Sequence, residues 1–306
     1  NGSPVMVSLG STTTATCTNT ADGAISLNVS GGTAPYFYVW TGPTSSMGSE
    51  STYNAVLPGT YSVTVSDANG STTNLSSIVV GLTPHTGNAW YVATTGSNSN
   101  PGTEGCPFRT IQFAIDEADT EHTVHVAEGT YDEKVLLNKS ISLIGEGTST
   151  IVSGASLPAG NGVTISANSA SMQDLDITGF VYGIVANADN ITLTNVGSKN
   201  NTNSGLEIRT GTDRLTATNC RFIDNTNVGI RTGTGTVLSD LAFNNCTVTG
   251  NKDGVHVAAA NPAPALNGLL FTGGNYSNNT NKGIYLERGN NVVINEITMD
   301  ASGTSP

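Results

Sequence analysis

The sequence predicts an all-β protein in two units, a small β-sandwich followed by a right-handed parallel β-helix with a short N-terminal capping helix. Three observations lead there. Only 11% of the 306 residues are charged, and the polarity comes from Gly, Ser, Thr and Asn, which suits short strands and tight turns and suits long helices poorly. The first 82 residues read as short alternating strands broken by turn signals. Further on, the pair Gly-aliphatic recurs as Gly162-Val163, Gly183-Ile184, Gly205-Leu206, Gly229-Ile230, Gly254-Val255 and Gly283-Ile284, at intervals of 21, 22, 24, 25 and 29 residues. A period in the twenties that stretches by insertion marks a solenoid.

The N-terminal strands come in order. "AISLNVS" (24–30) alternates apolar and polar residues, and "GGTAP" then turns the chain. "YFYVW" (36–40) is an aromatic strand, and a strand over 61–65 puts Tyr61, Val63 and Val65 on one face. Asn69-Gly70 favours a hairpin turn. These residues, "CTNTADGAISLNVSGGTAPYFYVWTG" followed by "LPGTYSVTVSDANGS", resemble the SprB-type repeat. That is an immunoglobulin-like module found in tandem in very large cell-surface and secreted proteins of gliding and related bacteria. The resemblance covers Val5 to Gly81. Family members often carry a second Cys just after the Asn-Gly turn, where this chain has Ser71 and Thr72, so Cys17 is expected to lack a partner within its domain. The expected organisation is 1–82 sandwich, 83–89 linker ("LTPHTGNA" spans its core) and 90–306 β-helix.

In the β-helix, short β-branched pieces alternate with the glycines: "ITLTNV" (191–196), "LTATNC" (215–220), "LAFNNC" (241–246) and "VVINEI" (292–297). One turn cannot bury its own apolar face, but stacked turns can, with a spacing near ~4.8 Å. Asn195, Asn219 and Asn245 are then expected to form an amide ladder at one corner, with Val196, Cys220 and Cys246 stacked beside them facing the core. "WYVATTGSNSNPGTEGCPFRTIQFAIDEAD" and "VHVAEGTYDEKVLLNKSISLIGEGTSTIVSG" resemble the entry segment of the pectin-lyase-like β-helix superfamily. Phe108, Ile111, Ile115 and Ala118 fall on one helical face, as a cap over the open end requires. No cap is legible at the other end, and the chain opens on Asn1 and stops at "TMDASGTSP", which reads as a piece of a longer secreted protein.

Charge narrows the function. Acidic residues outnumber basic ones by 23 to 11, a net −12, so neither nucleic acid nor an anionic membrane surface is an expected partner. No apolar run approaches the ~18 residues of a membrane span. Cys17, Cys106, Cys220 and Cys246 form no CxxC pair, and no zinc spacing is present. His122 and His125 lack a third ligand nearby. "SDANGS" lacks the downstream Glu of a calcium loop, so no cofactor is expected and Ca²⁺ is not indicated.

The superfamily resemblance implies that polysaccharide-cleaving chemistry must be tested. The hydrolase signatures Asn-Thr-Asp, Asp-Asp, Gly-His-Gly and Arg-Ile-Lys are all absent, as is the arginine-rich pectate-lyase signature, and no catalytic residue is assigned. One constellation remains. The residue after each aliphatic position points outward, giving the column Thr164, Val185, Glu207, Arg231, His256, Tyr285, with Arg209 and Glu287 two positions along. Such a stripe is an exposed ladder of alternating charge, a glycan-binding surface with Glu207, Arg209, Arg231, His256, Tyr285 and Glu287 as its candidates, or a source of a base and a carboxylate clamp for catalysis. The expected function is a non-catalytic extracellular adhesin or structural module of a larger bacterial surface protein. It could bind a polysaccharide, or self-associate through β-helix ends into a fibre. The rival is a polysaccharide lyase or other carbohydrate-active β-helix enzyme.

Overall fold

The computed structural model describes residues 3–209, 212–233, 238–259 and 266–299. Two compact units divide the chain, Asn1–Thr86 with Ser97–Pro107, and Gly87–Gly96 with Phe108–Pro306.

The first unit holds two antiparallel sheets. One has the order Met6–Thr13, Gly23–Ser30, Thr52–Val56, and the other Ser46–Gly48, Phe37–Thr41, Gly59–Ser66, Thr72–Val80. The period-2 alternation decides what is inside: Ile25, Leu27, Tyr38, Trp40, Tyr61, Val63 and Val65 are all buried in one core. Two acidic side chains fix its turns. Asp67 accepts N–H bonds from Thr33, Asn69 and Ser71 at 2.8–3.0 Å, so "SDANGS" is a hairpin organised by its own carboxylate. Asp22 accepts the N–H of Thr16 at 2.9 Å and its hydroxyl at 2.7 Å. Cys17 does have a partner. It is bonded to Cys106, in the 97–107 segment that groups with this unit, a pairing that a separation of 89 residues conceals in the sequence.

These two carboxylates make a pH prediction. Burial acts to raise the Asp67 carboxyl, but the backbone donors outweigh it and hold it below its ordinary value. The Thr16 hydroxyl and N–H lower that of Asp22. A lowered native pKa gives stability that is fully present above the unfolded value of about 3.9 and is lost as pH falls through the native value. Carboxyl ¹³C NMR titration is expected to place both midpoints below that value, and Asp67→Asn to flatten the acid limb of stability. Midpoints at or above it would refute the assignment.

The second unit is a parallel β-solenoid of about six turns. Its three sheets run in register: nine strands from Ala89–Val92 to Asn290–Asn295, five from Gly129–Tyr131 to Arg221–Ile223, and seven from Val135–Leu137 to Lys282–Leu286. Isolated bridges at Thr247, Asn275 and Thr298 carry the five-stranded sheet further. The helix Ile111–Glu117 closes the entry end against Ala89–Val92, Thr123–Val126 and Val135–Leu137. Ile111, Ala114 and Ile115 are buried within it, while Phe108 and Ala118 flank it and are buried too. Both carboxylate oxygens of Glu133 receive the helix's first N–H groups, from Ile111 at 2.8 Å and Gln112 at 2.9 Å.

The periodic glycines have a reason the period alone does not give. Gly183, Gly205, Gly229 and Gly254 have no positive φ, so conformational freedom is not the issue. Space is. A Cβ at these positions would lie 2.6, 2.8, 2.9 and 2.7 Å from the Nδ2 atoms of Asn201, Asn225, Asn251 and Asn279. Those four asparagines are at most 1% exposed and form a ladder inside the solenoid. Asn201 donates its side-chain amide to Asn225 Oδ1 at 2.9 Å, Asn225 to Asn251 at 3.0 Å, and Asn251 to Asn279 at 3.1 Å. Each Oδ1 also accepts the backbone N–H of the preceding asparagine.

At the turn between the nine- and five-stranded sheets, Asn195, Asn219 and Asn245 adopt φ of 55°, 55° and 52°. This left-handed conformation is one that Asn tolerates better than most residues. Asn245 donates to Asn219 Oδ1 at 2.8 Å, whereas Asn195 reaches back to Asp174 Oδ1 at 2.9 Å. Val196, Cys220 and Cys246 lie beside them, fully buried.

Candidate functional site

The strand register of the seven-stranded sheet defines its outer face. One column reads Leu136, Thr164, Val185, Glu207, Arg231, His256, Tyr285. It changes character halfway. Val185 is fully buried, and from Glu207 onward every member is polar or aromatic.

Glu207 is only 7% exposed. Its Oε2 faces Arg231 Nε at 4.0 Å, beyond hydrogen-bond reach, and neither atom has another hydrogen-bond partner among the described residues. Burial pushes the Glu207 carboxyl above its ordinary range, while Arg231 and Arg209 pull the other way. The Arg231 side chain remains 32% exposed, so the far end of its guanidinium lies at the surface above a carboxylate that is nearly out of water. One rung on, the His256 ring stacks on Tyr285 with centroids 5.0 Å apart, and its Nε2 lies 3.3 Å from Glu287 Oε1. Glu287 Oε2 accepts the Ala259 N–H at 2.6 Å; this bond and the Tyr285 and His256 contacts hold its carboxyl below the ordinary value. The Arg209 guanidinium lies 5.9 Å over the Tyr182 ring.

The face holds residues that the sequence reading missed. Asn161, Tyr182, Ser204, Val228, Asp253 and Lys282 form a second register column, and Lys282 Nζ lies 3.1 Å from the centre of the Tyr285 ring. The signal was available: each is the residue immediately before a repeat glycine. Asp253 accepts the Asn281 amide at 2.7 Å.

A second polar cluster lies on the five-stranded sheet. Asp176, with its side chain 1% exposed, accepts from Lys199 Nζ at 2.7 Å and Arg221 Nη2 at 2.8 Å. The register places Gly197 between Asp176 and Arg221, and a Cβ there would lie 2.0 Å from Asp176 Oδ1. This cluster locks three rungs together. His122 is likewise structural, its Nδ1 accepting the Trp90 indole N–H at 3.0 Å and the Asp119 N–H at 3.1 Å. His125 stacks on Tyr91. Among the described residues no group of three or more His, Cys, Asp or Glu is placed to hold a metal ion, and no helix is long and apolar enough to cross a membrane.

Three parallel sheets wound rung upon rung, capped at the entry and bearing a charged outer column, define a parallel β-helix protein. The chain belongs to the right-handed β-helix family, whose profile matches residues 148–300, half of its length. An SprB repeat matches residues 9–45. Among solved structures, a pectate lyase, Pel9A, is similar with 19% identity over 69% of this chain and 58% of that one, at a TM-score of 0.52. A rhamnogalacturonan lyase is similar with 16% identity over 72% and 66%, at a TM-score of 0.51. At these identities the likeness is one of fold, and the chain spans less than two thirds of either lyase. No curated protein matches the sequence.

Proposed function

We propose that the chain is a non-catalytic, extracellular glycan-binding module of a larger bacterial surface or secreted protein, and that it binds on the outer face of the seven-stranded sheet. The observation that carries this reading is the Arg231 side chain, one third exposed, lying over the buried Glu207 carboxylate with the His256–Glu287 pair on the neighbouring rungs. A saccharide needs closely spaced donors and acceptors on a rigid surface, and stacked strands supply them at ~4.8 Å intervals. The SprB repeat supports a surface or secreted location.

The test is affinity electrophoresis and calorimetry against a panel of plant, algal and capsular polysaccharides, with the uronate members also assayed for unsaturated products. Arg231→Ala is expected to weaken binding about tenfold or more, roughly 1.4 kcal/mol, with the solenoid still folded at the assay temperature by circular dichroism. Turnover of any uronate polymer that disappears with Arg231→Ala would replace this reading by the lyase one.

A further inference from the structure

The charges on this face say which saccharides it can accept. The chain carries a net charge of −12, so a polyanion approaches against a long-range field. The two register columns do not offer a local exception. Within them Arg231 and Lys282 are matched by Glu207 and Asp253, and beside them Arg209 is matched by Glu287, three cations against three carboxylates. The cations are also already engaged. Arg231 lies against Glu207, Lys282 on the Tyr285 ring and Arg209 on the Tyr182 ring. The surface a ligand meets is therefore a mosaic in which each donor has a carboxylate or an aromatic ring beside it.

Resting on the reading of the face as a glycan surface, we infer that it is matched to uncharged saccharides and excludes uronates. A sugar hydroxyl both donates and accepts, so it can bridge a guanidinium N–H and a neighbouring carboxylate. A uronate carboxylate only accepts, and beside Glu207 or Glu287 it meets like charge. Glu207 is the decisive residue. Nine-tenths buried, with no hydrogen-bond partner for Oε2 among the described residues, it is a fixed acceptor directly beneath Arg231. The guanidinium therefore cannot serve as an uncompensated anion clamp. Glu207 acts as a positioning residue and the exposed Arg231 fork as the ligand contact.

The experiment compares neutral hexasaccharides (cello-, xylo-, galacto- and maltohexaose) with hexagalacturonate and hexaguluronate, titrated into the full chain at low and moderate salt. Binding of at least one neutral hexaose, with the acidic ones at least about tenfold weaker, is the expected result. Glu287→Gln, at an exposed position, and Glu207→Gln are then each expected to raise affinity for the acidic hexamers several-fold while leaving neutral binding level or lower. A merely structural role for either carboxylate would not produce that opposite movement. Tighter binding of an acidic hexamer to the unmodified chain, weakened by salt and by Arg231→Gln, overturns the inference but leaves the face as the site. Equal binding of both classes also overturns it. Failure of every saccharide to bind refutes the parent reading and the inference together.

Discussion

Arg221→Met is expected to lower the unfolding free energy of the solenoid by about 2 kcal/mol, because the buried Asp176 carboxylate loses one of its two charge-assisted hydrogen bonds and keeps only Lys199. Asp176 cannot escape to water, with its side chain only 1% exposed, whereas Arg221 and Lys199 are each about one third exposed and can. Methionine preserves the aliphatic stem that covers the sheet, so the loss isolates the guanidinium. Asp176→Asn should cost less, on the order of 1 kcal/mol, since the neutral amide needs no counter-charge. In the double variant the cost of losing Arg221 should shrink to that smaller level. Urea denaturation of the four proteins checks this, and strictly additive losses would mean that the bridge contributes nothing. Gly197→Ala probes the same cluster from the other side, since its Cβ would enter the space held by Asp176 Oδ1.

Asn225→Ala should be comparably severe, by roughly 3 kcal/mol. The side chain is 1% exposed; it accepts two N–H bonds from Asn201 and donates to Asn251 Oδ1 and Ser198 O. Truncation orphans two donors and weakens two acceptors inside a core where water has no entry, and each unsatisfied buried group costs about 1–3 kcal/mol. The exposed counterpart, Asn219→Ala, should cost well under half as much. Its amide ladder is solvent-accessible, and much of its role is to tolerate φ near 55°. Equal losses at the two positions would show that burial of the inner ladder does not set its energy.

The difference between those ladders also explains how much of the molecule was legible in the sequence. The Gly-aliphatic period gave the rungs their spacing because six glycines repeat visibly. The outer column followed by counting one residue past each aliphatic position, which a parallel in-register sheet preserves. Asn201, Asn225, Asn251 and Asn279 were hidden among other Asn residues, and polarity argued for placing them outside. Only the space left by the glycines shows that an amide can be paired internally rung after rung. The Asp176 cluster was illegible for another reason: Arg221 reaches it across 45 residues and two rungs, and the intervening Gly197 lies outside the glycine period. Cys17 and Cys106 were likewise out of reach, since their pairing depends on where the 97–107 segment folds.

Cys220 and Cys246 stand on successive rungs, both free and both at 0% exposure. In a solenoid each turn is held only by its neighbours, so opening can begin at an end and travel inward. The two thiols therefore make the molecule a clock for its own unravelling. An alkylating reagent cannot reach either sulfur until its rung has parted, and labelling in mild denaturant reports the free energy of that local event. Cys246 lies nearer the C-terminal rungs than Cys220. Fraying from that end marks Cys246 first, whereas collapse of the whole solenoid marks the two together.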